Sequence, residues 1–230
     1  MATKPTKIVR GKRLRVTRLG PCGELPEAEE ECAQVVTRGF VSVEMSPENE
    51  EGDEITQQVA DGSLCVDLQS PHEFKRWTLS IELCEVDPDL VSMLTRVSLE
   101  TDADGDTVGF RSRKGVIEEQ FALELWVGVG EDECENGQEY GYLLFPWVAG
   151  GTFDSLTVEN DAATLTIENA FTRGGGEWGV GPYDVVPDAM GDPEQLGDPM
   201  ESDEHHLQRT TTIAPPDAQA GCQDMPTYTL

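Results

Sequence analysis

The side chains able to do chemistry here are three histidines, six cysteines and a dense set of carboxylates, so their spacing decides which reactions are open. Asp102, Asp104 and Asp106 flank Gly105 in the manner of a calcium loop. An EF-hand also needs Gly at its sixth position for a sharp turn and Glu at its twelfth for two oxygens. Those positions hold Thr107 and Arg113, so the run reads as a solvated turn. His205-His206 lies beside Asp203 and Glu204 in a Pro/Gly-rich stretch, without a third preorganised ligand. His72-Glu73 follows Pro71, and no HExxH helix surrounds it. The cysteines (Cys22, Cys32, Cys65, Cys84, Cys134 and Cys222) form no CxxC pair, which argues against zinc and leaves their pairing open.

Nucleophile and phosphate motifs are missing as well. The chain has no G-x-S-x-G elbow, no P-loop and no G-x-G-x-x-G after a strand. Gly174-Gly175-Gly176 reads as a flexible turn, and Gly179-Val180-Gly181-Pro182-Tyr183 lacks the following helix that would hold a phosphate. Neither an enzymatic activity nor a cofactor or metal is expected. Tyr140, Tyr142, Phe145 and Trp147 could form an aromatic sugar platform. Alternation puts Tyr140, Tyr142 and Leu144 on one face and Phe145 and Trp147 on the other, which suits a strand buried on both sides.

Charge narrows the function classes further. The 45 acidic residues against 16 basic ones give a net charge of -29, and such a body repels nucleic acid. Seven of the 16 basic residues are Lys4, Lys7, Arg10, Lys12, Arg13, Arg15 and Arg18, and no acid precedes Glu24. Exposed charges more than ~8 Å apart are screened at physiological salt, so this basic stretch cannot satisfy the field of the whole body alone. Copies of the chain could satisfy one another. The basic N-terminus lacks a following apolar run, and the longest apolar stretch, residues 140–151, is too short to cross a bilayer and contains Pro146. Neither secretion nor a membrane is expected.

The elements that would position these groups are mostly strands. Residues 13–19 alternate with a charged exposed face, and residues 35–45 are β-branched and aromatic, broken at Gly39. Residues 46–53, SPENEEGD, carry too little apolar surface to order themselves and read as a mobile acidic loop. Residues 55–59 and 64–68 flank Ala60-Asp61-Gly62-Ser63, a strong hairpin signal. In residues 74–86, Trp77, Leu79, Ile81 and Leu83 face one way and Thr78, Ser80 and Glu82 the other. Asp87-Pro88-Asp89 starts a short helix with Leu90, Val91, Met93 and Leu94 on its apolar stripe. Residues 108–111, 121–129, 140–148, 155–158 and 163–171 are further strands. Many short strands argue a β-sandwich or barrel. After Pro187 the pattern fails, and residues 187–230 read as an extended tail ordered only by docking on another surface.

The stretch YGYLLFPWVAGGTFDSLTVENDAATLTIENAFTRGGGEWGVGPYDVV, residues 140–186, resembles the major tail proteins of long-tailed phages that infect actinobacteria. So do RLRVTRLGPCG (13–23), VVTRGFVSVEMSPENEEGDEI (35–55), DPDLVSML (87–94), FALELWVGV (121–129) and HLQRTTTIAPP (206–216). The resemblance implies a mainly β, tail-tube-type β-sandwich with one short flanking helix and extended termini, divided into a basic arm (1–12), a β-sandwich (13–186) and a C-terminal tail (187–230). It implies a virion protein, made in the host cytoplasm, whose rings, hexameric in that family, stack into a tube. Its partners would be copies of itself, tape-measure and tail-terminator proteins, and DNA passing through the lumen without sequence-specific binding. Charge then suggests that Arg10, Lys12, Arg13 and Arg15 dock on Glu48, Glu50, Glu51 and Asp53 of an adjacent copy. Two rivals stand beside this reading. One is a carbohydrate-binding β-sandwich stacking sugars on Trp126, Tyr140, Tyr142 or Trp147, and the other is an acidic enzyme of a halophile.

Overall fold

The computed structural model describes residues 8–27, 29–129, 139–158, 163–179 and 185–225. Lys4, Lys7, Cys134 and residues 180–183 lie outside them. The first strands are β1 (Ile8–Arg18), β2 (Gln34–Thr37), β3 (Phe40–Glu50), β4 (Glu54–Gln58), β5 (Leu64–Gln69) and β6 (Glu73–Leu83). After helix α1 (Pro88–Leu94) come β7 (Val97–Thr101), β8 (Thr107–Ser112), β9 (Gln120–Val129), β10 (Tyr140–Ala149), β11 (Thr152–Val158) and β12 (Ala163–Thr172). Three short strands follow: β13 (Val186–Pro187), β14 (Pro193–Glu194) and β15 (Leu207–Thr211).

One antiparallel sheet runs in the order β2-β1-β9-β10-β12-β6-β3, with β15 added on β10 and β11 on β12. It doubles over a shared core, as a β-sandwich does. Leu14 and Val16 of β1 and Leu123 and Leu125 of β9 pack in one cluster with Leu79, Ile81 and Leu83 of β6 and Leu165 and Ile167 of β12. The hinge of this arrangement is β10. Its first half pairs with β15, its last residues Val148 and Ala149 pair with β12, and a register shift separates Phe145 from Val148. Pro146 sits inside that shift, where a missing N–H removes no regular ladder bond.

The helix forms as its sequence predicts. Asp87 Oδ1 accepts from the N–H groups of Asp89 (2.9 Å) and Leu90 (3.4 Å), satisfying donors the first turn leaves open. Leu90, Val91, Met93 and Leu94 all join the core. The apolar run from 35 to 45 is divided between β2 and β3 at Arg38-Gly39, because β2 pairs with β1 and β3 with β6, at opposite ends of the sheet order. Glycine is required at that crossing, since a Cβ on Gly39 would lie 2.2 Å from Glu85 Cβ.

Three expectations need correction. The basic stretch is not a separate arm from residue 8 onward, because Ile8–Arg18 is a strand paired with β9 along its length. The acidic loop at 46–53 is not a loop up to Glu50. Residues 46–50 continue β3 and pair with Thr78 back to Glu73, and Lys75 and Arg76 of β6 neutralise its carboxylates, which composition alone did not show. The tail is extended, but the surface that orders it belongs to its own chain. Trp178, Val185, Leu196, Met200 and Met225 cluster with Trp126, Tyr140, Tyr142 and Leu144 on the face of the sheet opposite the core. Strands β9 and β10 are therefore buried on both sides, as their almost unbroken apolar sequence requires.

Candidate self-assembly surfaces

The basic residues of β1 divide into interior and exterior members. Arg15 forms an ion pair with Glu124, donating from Nε to Oε2 and from Nη2 to Oε1 at 2.7 Å. Glu124 has no exposed surface and also accepts from the Tyr142 hydroxyl at 2.6 Å. The guanidinium lies 5.2 Å from the centre of the Trp126 ring, which itself meets Tyr142 edge-on at 5.1 Å. A buried carboxylate needs such partners, because an unpaired one would lose its hydration for nothing. Arg15 is thus committed to its own subunit. Arg13 is half-buried and donates to the Lys12 carbonyl at 2.8 Å, Lys12 is half-buried, and Arg10 is exposed.

The acidic set divides in the same way. Lys75 Nζ lies 3.2 Å from Glu48 and 3.3 Å from Glu50, and Arg76 holds Glu48 through both Nε and Nη2. The hydrogen bond from Arg76, then that from Lys75, holds the Glu48 carboxyl below the usual range. Glu48, and next Glu50, raise the Lys75 ammonium above its own. Glu51 and Asp53 are exposed in the connection between β3 and β4. Of the eight residues expected to dock copies together, Arg10, Glu51 and Asp53 face solvent most openly, whereas Arg15, Glu48 and Glu50 have partners within the chain.

Sequence reasoning passed over a larger feature. Strands β4 and β5 form a two-stranded sheet of their own in which every residue is exposed. The turn is as expected, with Gly62 at φ +85° and Val59 N–H donating to the Ser63 carbonyl at 2.8 Å. Ile55 pairs with Leu68 and Gln57 with Val66, so Ile55, Val66 and Leu68 share one face, and a register shift beyond Gln57 then sets Leu64 opposite Gln58. Those three are 56%, 37% and 57% exposed, and Leu64 is 56% exposed as well. An isolated hairpin is marginal in water, and one that shows this much apolar surface calls for a cover. The alternation of Leu64, Val66 and Leu68 was visible in sequence; that none of the described residues forms a second layer over the hairpin was not.

The other candidate chemistry is accounted for locally. Asp102 Oδ1 accepts from the N–H groups of Asp104 (2.9 Å) and Asp106 (3.0 Å), closing a turn whose Gly105 has φ +94°. Cys32, Asp89 and Cys222 place potential ligand atoms within 4.8 Å of one another, but the two sulfurs are joined in a disulfide. Cys22, Cys65 and Cys84 are free and exposed. His205 Nδ1 lies 2.7 Å from Thr172 Oγ1, and the His206 ring sits 5.0 Å from Phe145 and 5.9 Å from Trp77. The pair anchors the entrance to β15. Burial lowers both imidazole pKa values, and Asp203 partly opposes this at His205. The sugar platform loses its rings: Trp126 (1%), Tyr140 (9%) and Tyr142 (0%) are buried, and the shift at Pro146 turns Trp147 toward their side of the sheet.

No family model matches this chain, and a search of curated proteins finds no match.

Proposed function

We propose that the chain is the repeating subunit of a phage-type tail tube, a structural protein that builds rings and stacks them by self-association and catalyses nothing. The observation that carries this reading is the β4–β5 hairpin, whose apolar face none of the described residues covers. The resemblance of residues 140–186 to tail-tube subunits points the same way. Strand β3 adds an open edge, since among the described residues it pairs only with β6 and ends the sheet order. Open edges and exposed apolar hairpins are hazards in a solitary protein and working surfaces in an assembling one. A contact between two different surfaces of one chain is heterologous. It closes into a ring or continues as a filament, which is the geometry of stacked rings.

Under this reading the hairpin supplies apolar area to a neighbouring copy, and the exposed charges at Arg10, Glu51 and Asp53 set orientation. Individual exposed pairs contribute only ~0.2–1 kcal/mol, so apolar burial of about 2,000 Å² or more per interface must carry the energy. The net charge of -29 would keep passing DNA from adhering to the tube. Tape-measure and terminator proteins would meet the lumen and the tube end. Negative-stain microscopy of the purified chain over a range of concentration and ionic strength tests the proposal. Rings or tubes are the expected result; a monomer under every condition, together with absence from virus particles, would overturn it.

A further inference from the structure

The outer edge of β2 is the opposite end of the sheet from β3, and it is closed by the chain itself. Arg18 N–H donates to the Ala33 carbonyl, so the register turns the main-chain groups of Gln34 and Val36 away from β1. Residues 219–225 meet them there. Gln34 N–H donates to the Gln223 carbonyl at 3.0 Å, Gln223 N–H returns the bond at 2.7 Å, and Gln219 N–H donates to the Val36 carbonyl at 3.3 Å. Met225 exchanges two further bonds with Glu29 and Glu30. From the helix side, Asp87 Oδ2 accepts from Gly221 N–H at 2.7 Å and Asp89 Oδ2 from Cys222 N–H at 3.2 Å.

Little apolar burial holds this segment down, since Met225 is its single buried side chain. The covalent tie is the Cys32–Cys222 disulfide, and both cysteines keep some exposed surface, so a thiol can reach them. We propose that residues 219–225 are a thiol-released strap that withholds the β2 edge from the open β3 edge of a second copy; this rests on the tube reading. Main-chain pairing selects that occupant, because among the described residues β3 bonds only to β6 and leaves its other row of N–H and C=O groups open to a strand edge. Release is a two-electron exchange. A thiolate of a dithiol reductant attacks one sulfur, the Cys32–Cys222 bond breaks, and the reductant's second thiol resolves the mixed disulfide. Two protein thiols and an oxidised reductant remain.

The test uses the full chain, oxidised or treated with a small dithiol in the presence of a chelator, so that no metal ion can re-tie Cys32, Asp89 and Cys222. A Cys32→Ser/Cys222→Ser variant gives the same released state by an independent route. Amide exchange reports the strap and light scattering reports assembly. After reduction the Gln34 amide is expected to exchange at least about tenfold faster while Leu79 and Ile81 stay protected, as local opening without global unfolding requires. Assembly should begin at a concentration roughly tenfold lower, because an uncovered edge adds a pairing site. Unchanged Gln34 exchange with both thiols titrated free would overturn the strap. Faster Gln34 exchange with tubes forming equally in both states would overturn its gating role and leave the tube reading standing. Faster exchange with no assembly in either state would defeat both.

Discussion

A carboxylate with no exposed surface, Glu124, sits between the Arg15 guanidinium and the Tyr142 hydroxyl. Removing one member of such a pair strands the other, so Arg15→Ala is expected to destabilise the fold by about 3–5 kcal/mol in urea unfolding. Charge reversal at Arg15 therefore reports on folding before it reports on docking. Arg10→Glu is the cleaner probe, because Arg10 is exposed; its unfolding midpoint should move little while assembly weakens. A second residue-scale consequence concerns pH. Burial lowers the His206 pKa in the fold, so the unfolded chain binds the proton more readily. Its contribution to stability is fully present above the ordinary imidazole value of about 6.5 and falls as pH drops from there toward the folded value. Thermal unfolding between pH 7.5 and 5 should show this loss, and His206→Phe should flatten it. Glu124 was legible as the one acid in the apolar run FALELWVGV. Its partner, on the strand beside it, needed the register.

At the scale of elements, the hairpin is where sequence reading went furthest and also stopped short. Asp61-Gly62 and the alternation around it fixed two strands and their turn, and α1 followed from Asp87-Pro88-Asp89 for similarly local reasons. What covers an element is a non-local fact. Residues 46–50 looked too polar to order, yet they are held by Lys75 and Arg76 from a strand whose register no local rule supplies. Strand β7 was not recognised because VSLET is short, with four half-buried residues and an exposed Thr101, and so shows no two-faced alternation. Replacing Val66 and Leu68 with Lys changes exposed positions only, so monomer stability should shift by less than about 0.5 kcal/mol per site. Assembly should fail in the same variant. A Val66→Lys/Leu68→Lys protein that still forms tubes would remove the hairpin from the interface.

For the molecule as a whole, composition and strand spacing were enough to expect a mainly β fold with one short helix. They could not show that the segment after Pro187 comes back over its own sheet, because that segment contributes isolated side chains such as Leu196, Met200 and Met225 rather than a periodic run. The disulfide was equally hidden, its partners being 190 residues apart. A bond closing so long a loop limits the unfolded chain, so reduction should lower the unfolding free energy by about 2–5 kcal/mol without dissolving the core. Denaturant titrations with and without a dithiol would measure it.

The same bond sets a schedule for synthesis. Strand β1 emerges first but waits for β9, more than a hundred positions later, and Cys32 waits for Cys222. A chain leaving the ribosome can complete the helix and the hairpin at once, while the side of the sheet holding β2 stays unfinished until the last partner is made. Such non-local closure folds slowly. During that interval the nascent subunit exposes the pairing edge that the finished one has covered.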